Sequence, residues 1–88
     1  MKKINKKILI VEDDENFLSI LEKVFSSEGF SVIIAKDGGS GVSTAEKEKP
    51  DLIISDVLLP RLDGHAMAKK MKELKISAPI MFLTNVKS

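Results

Sequence analysis

The 88-residue sequence has no cysteine. That excludes disulfides, thiolate metal sites and a cysteine nucleophile, and it fits a reducing compartment. Long apolar runs are also missing. The run Ile8 to Val11 is far too short for a membrane span or the core of a signal peptide. The chain is therefore expected to be cytoplasmic, with no membrane partner. Nor does charge of one sign dominate. The formal net charge is +1, which gives no electrostatic case for direct nucleic-acid binding. The basic residues Lys2, Lys3, Lys6 and Lys7 cluster before the first apolar run and read as a solvated leader. There is a single histidine, His65, placed as a surface residue at a helix start.

What is present is a regular alternation of strand-like and helix-like segments within one small domain, residues 1–88. Ile8–Val11 is a continuous, partly β-branched run, as in a strand buried on both faces. Phe17, Leu18, Leu21, Val24 and Phe25 then fall at helical spacing. Gly29 stands where a helix C-cap is expected. Phe30 to Ala35 reads as a second strand, Asp37-Gly38-Gly39 as a turn, and Gly41 to Lys49 as a helix. Leu52–Ser55 forms a third strand, Ala66 to Leu74 a third helix, and Ile80–Leu83 a fourth strand behind Pro79. Met67, Met71 and Met81 read as core filling. The order βαβαβαβ implies a parallel sheet with right-handed crossovers.

Two of the four strands run into acids: Glu12, Asp13 and Asp14 follow the first, and Asp56 follows the third. In an open parallel sheet, ligands bind beyond the carboxyl ends of the strands, where the strand order reverses. If strands one and three are neighbours, with strand two outside strand one, Glu12, Asp13 and Asp56 converge in that crevice. Asp14 is placed as the cap of the first helix, and Asp63 as a turn or cap residue. Carboxylates gathered this way repel one another, so some must protonate or share a cation. Oxygen donors without nearby histidine or cysteine suit a hard ion such as Mg²⁺, commonly completed by phosphate oxygens. An Asp carboxylate can itself act as a nucleophile and become an acyl phosphate.

Three segments carry a family resemblance. They are Ile8-Leu9-Ile10-Val11-Glu12-Asp13-Asp14, the run from Pro50 through Asp56 and Pro60 to Gly64, and Pro79-Ile80-Met81-Phe82-Leu83-Thr84. Together they resemble the successive signatures of response-regulator receiver domains of two-component signalling, from about Lys7 to Thr84. The resemblance implies an α/β, flavodoxin-like doubly wound parallel sheet of order 2-1-3-4. It implies Asp56 as phosphoacceptor, Asp13 as a direct Mg²⁺ ligand, Glu12 as an acidic neighbour and the backbone carbonyl of Leu58 as a further ligand. Thr84 matches the switch hydroxyl, and Pro60 and Gly64 shape the loop after Asp56. The partner implied is a histidine kinase or phosphotransfer protein, and the role is signalling rather than enzymatic turnover.

Receiver domains continue past the strand of Thr84 with a helix, a fifth strand bearing a lysine, and a closing helix. The sequence is thus expected to be a receiver lacking the fifth strand and the last two helices, with impaired phosphorylation. Lys87 does not stand at the position of the fifth-strand lysine. Two alternatives stand beside this reading. One is a folded fragment acting only through self-association. The other is a Mg²⁺-dependent phosphohydrolase, against which counts the apolar Leu58 where a second acid is commonly needed. An uncovered fourth strand predicts a homodimer through that edge. Sedimentation across a concentration series checks this: a sharply melting monomer at every concentration contradicts it.

Overall fold

The computed structural model describes residues 5–59 and 62–83. Four short apolar runs pair as parallel strands: β1 (Lys7–Val11), β2 (Ser31–Ala35), β3 (Leu52–Ser55) and β4 (Ile80–Phe82), in the order β2-β1-β3-β4. β1 lies between β2 and β3, so its peptide groups find partners on both sides. Leu9 stands opposite both Ile33 and Ile53, and Val11 opposite both Ala35 and Ser55. Successive side chains of a strand point to opposite faces. Ile8 and Ile10 therefore join one apolar layer with Leu18 and Ile54. Leu9 and Val11 join the other with Val42, Ala45, Met67 and Met71. Burial on both faces is why β1 reads as an unbroken apolar run rather than an alternating one.

The first layer is covered by helix α1 (Glu15–Ser27). Asp14 caps it, its carboxylate accepting from the N–H groups of Asn16 (3.0 Å) and Phe17 (3.3 Å). The helix closes on Gly29 at φ 98°, the left-handed region that glycine enters without steric cost. The N–H of Gly29 donates to Ser26 and that of Phe30 to Phe25, and the rings of Phe25 and Phe30 meet edge to face at 6.2 Å.

The second layer is covered by α2 (Gly38–Glu48) and α3 (Gly64–Glu73). α2 starts earlier than its glycine content suggests. Gly38 and Gly39 form its first turn rather than a separate turn, because Asp37 caps it by accepting from the Ser40 N–H at 2.8 Å. Its inner face is made of Gly38, Gly41, Val42 and Ala45. α3 is capped by Asp63, which accepts from the Ala66 N–H at 2.8 Å. Met67 and Met71 point inward from α3, whereas Lys70 is exposed. Met81 corrects the core-filling expectation: it is half exposed, on β4 at the margin of the described sheet. No helix among the described residues is long and apolar enough to cross a membrane.

Met67 is fully buried between α2, α3 and the sheet. Truncating such a side chain removes its transfer free energy and leaves a cavity, together costing about 2–5 kcal/mol. Met67→Ala should lower the urea midpoint accordingly, with an unchanged slope. Met81→Ala should stay within about 0.5 kcal/mol of the parent, as exposed substitutions usually do.

Candidate functional site

Backbone pairing places the acids. The N–H of Glu12 donates to the Ala35 carbonyl (3.0 Å), continuing β1 by one residue. The N–H of Asp56 donates to the Val11 carbonyl (3.1 Å), so Asp56 emerges beside Glu12 on the adjacent strand. Asp13 follows Glu12 into the turn that leads to α1. As a result, oxygens of Glu12, Asp13 and Asp56 all lie within 4.8 Å of one another. Glu12 is 1% exposed and Asp56 3%, while Asp13 is open to solvent.

Burying two carboxylates side by side is costly unless dipoles or a cation answer their charge. Main-chain donors supply part of the answer. The Asp14 N–H donates to Glu12 Oε2 at 2.7 Å, and the Leu58 N–H donates to Asp56 Oδ1 at 3.3 Å. The amino end of α1 opens at the same rim, where its dipole favours negative charge. An all-oxygen cluster of this kind fits a hard divalent ion such as Mg²⁺ better than a softer metal. Around the rim, the Lys36 ammonium sits 2.7 Å from Glu15 and pulls that carboxyl below its ordinary pKa.

Of the residues singled out by sequence, Glu12, Asp13 and Asp56 are brought together. Leu58 lies beside them, contributing a backbone N–H to Asp56 and a side chain that is 70% exposed. Asp14 and Asp63 serve as helix caps. His65 is exposed, with its ring 5.5 Å from that of Phe82. Thr84, Pro60 and Lys87 lie outside the described residues. Sequence reasoning missed Ser55. Its buried hydroxyl donates to the Asp56 carbonyl at 2.7 Å and stiffens the bend where the chain leaves β3. A serine closing an apolar strand gives no local signal of that role. Gly64 does more than shape the loop. A side chain there would stand 2.8 Å from the Asp56 carbonyl oxygen and 2.8 Å from the Phe82 ring, so only a bare α-carbon lets α3 start against the site.

A hollow of about 430 Å³ lies between the carboxyl ends of α2 and α3, with Lys49, Leu74 and Lys75 in its wall. It is at the opposite end of the sheet from the acids.

A parallel sheet of order 2-1-3-4 with clustered acids at the carboxyl ends of its inner strands defines an α/β module of the doubly wound class. The family described as response regulator receiver domain matches residues 8–88, and the chain belongs to that family. It is 44% identical over 81 residues to the alkaline phosphatase synthesis transcriptional regulatory protein PhoP of Bacillus subtilis, covering 92% of this chain and 34% of that protein. It is 33% identical to sporulation initiation phosphotransferase F of the same organism, covering 92% of this chain and 65% of that one. Among solved structures, the receiver domain of sensor histidine kinase PA1611 from Pseudomonas aeruginosa superposes with a TM-score of 0.87 at 31% identity, over 92% of this chain and 68% of that one. That structure holds a magnesium ion in its active-site cleft. The chain spans about a third of the length of the first curated relatives it matches.

If the three carboxylates repel in the metal-free protein, removing one charge relieves strain. In chelator and low salt, Asp56→Asn should raise stability by on the order of 1 kcal/mol, an advantage that shrinks when Mg²⁺ is added. Paired urea titrations measure this. A variant less stable than the parent in chelator would show that the repulsion is already compensated within the protein.

Proposed function

We propose that this chain receives a phosphoryl group on Asp56 from a phosphohistidine of a histidine kinase or phosphotransfer protein, and that the group's presence alters the surface around the site. The observation that carries this reading is the convergence of Glu12, Asp13 and Asp56 oxygens within 4.8 Å at the carboxyl ends of adjacent strands. Glu12, Asp13, Asp56 and the backbone carbonyl of Leu58 would hold Mg²⁺. When bound, the ion neutralises carboxylate and phosphoryl oxygens that otherwise repel.

The chain's own residues do the rest. The Leu58 N–H on Oδ1 orients the Asp56 carboxylate, and the Ser55 hydroxyl holds the Asp56 backbone. A carboxylate oxygen of Asp56 attacks the phosphorus in line with the leaving imidazole nitrogen. The oxygen–phosphorus bond forms, the phosphorus–nitrogen bond breaks, and the donor histidine leaves with the electron pair and takes up a proton. Thr84 is assigned the switch hydroxyl, donating to the attached phosphoryl group as a charge-assisted hydrogen bond. Leu58, exposed and apolar, stands two residues after Asp56, where a phosphohydrolase commonly needs an acid.

Mg²⁺ should shift the backbone amides of residues 12–14 and 56–58, and the shifts should vanish when Asp13→Ala and Asp56→Asn are combined. With Mg²⁺ and a small phosphodonor such as acetyl phosphate, intact-mass analysis should find one phosphoryl group, absent from Asp56→Asn. An adduct of equal yield in that variant would place the acceptor elsewhere.

A further inference from the structure

We propose that Gly38 is a positioning residue for Asp56: its bare α-carbon, in the first turn of α2, seats the backbone of Leu62, and the Gly64 N–H bond to the Val57 carbonyl ties that seat back to the residues beside Asp56. A β-carbon built at Gly38 would overlap the Leu62 carbonyl oxygen outright and stand 2.8 Å from both the Leu62 carbonyl carbon and its Cβ. Main chain lies against main chain here, so no side-chain rotation relieves the overlap. The neighbouring Gly39 is different. A β-carbon there meets only the Asp37 carboxylate, at 3.4 Å, which is ordinary contact.

The strain of a larger residue at position 38 falls on the loop rather than on the helix. α2 is fastened by its buried face of Gly41, Val42 and Ala45 and by the Asp37 cap. At Gly41 a β-carbon would come within 2.9 Å of the Met67 sulfur and 3.1 Å of Val11, so the helix already sits flush on β1 and α3. The segment from Asp56 to Asp63 contains no helix or strand among its described residues. Its far end is locked back onto its start, since the Gly64 N–H donates to the Val57 carbonyl at 2.8 Å. A push at Leu62 therefore reaches Val57 and Asp56 within two residues of Gly64. It also reaches the Leu58 N–H that orients the Asp56 carboxylate.

This rests on the reading of Asp56 as phosphoacceptor, and the test separates the two. Gly38→Ala and Gly39→Ala are compared in the whole protein. In metal-free samples, Gly38→Ala should shift the amides of residues 57–59 and 62–64, while Gly39→Ala leaves them in place. At saturating acetyl phosphate and Mg²⁺, Gly38→Ala should slow the maximal phosphorylation rate by on the order of tenfold to a hundredfold, the usual effect of a small misplacement of a reacting group. Gly39→Ala should remain within about twofold. Equal rates in the two variants, or an equal loss in both, overturns the proposal while leaving the phosphoacceptor reading intact. Absence of any phosphoryl group on Asp56 in the parent defeats that reading and this proposal with it. Should Gly38→Ala not fold, the parent supplies the reciprocal measurement, because coupling between two sites runs equally both ways. Phosphorylation should then shift the amides of residues 38–40 but not those of 45–48, and unmoved amides at 38–40 overturn the proposal.

Discussion

Everything at the acidic rim depends on β1 and β3 being neighbours in register. Val11 stands opposite Ser55, and each strand delivers its first acid one residue later. A slip of one residue would turn every β3 side chain to the opposite face and carry Asp56 away from Glu12. The apolar layers prevent that slip, because Ile53 and Ile54 are each buried against a different set of partners. The core thus specifies the site: the same contacts that hold the sheet together hold two carboxylates side by side. Part of the electrostatic cost of that proximity is answered by peptide N–H groups whose positions the fold already dictates.

The parallel sheet and the acids at its strand ends were legible because they rest on strong local signals, whereas the order 2-1-3-4, and with it the convergence of the acids, was implied by the family resemblance. Apolar runs that stop abruptly at Glu12 and Asp56 say where strands end, and the alternation of elements says the strands are parallel. Gly29 and Asp14 were equally legible, since caps are read from one or two residues and their immediate neighbours. The start of α2 was not. Gly38 and Gly39 look like a turn by propensity, yet the Asp37 cap, with Gly38 packed on Leu62 and Gly41 packed on Met67 and Val11, makes the segment helical. Those packing partners are distant in sequence, so no local window contains the reason. Met81 was misplaced on similar grounds: its neighbours Ile80 and Phe82 face covered ground, but its own side of β4 is partly open. Ser55 was overlooked because its role is one hydrogen bond to the next residue's carbonyl.

Helix capping has an effect beyond each helix. With all strands parallel and each helix returning the chain between them, every helix begins at one end of the sheet and finishes at the other. Three aspartates, Asp14, Asp37 and Asp63, cap the starts and join Glu12, Asp13 and Asp56 at that end. Lysines gather at the opposite end, with Lys47 and Lys49 closing α2 and Lys70, Lys72 and Lys75 closing α3. The far end is mixed, since Glu28, Glu46, Glu48, Asp51 and Glu73 stand there among the lysines, so within a formal net charge of +1 the excess of acid is confined to the rim where the helices start. Seen from far away the molecule is nearly neutral. Within a Debye length, about 8–10 Å, direction matters: a partner that approaches the capped ends of the helices meets concentrated negative charge, and one that approaches the other end meets charges of both signs.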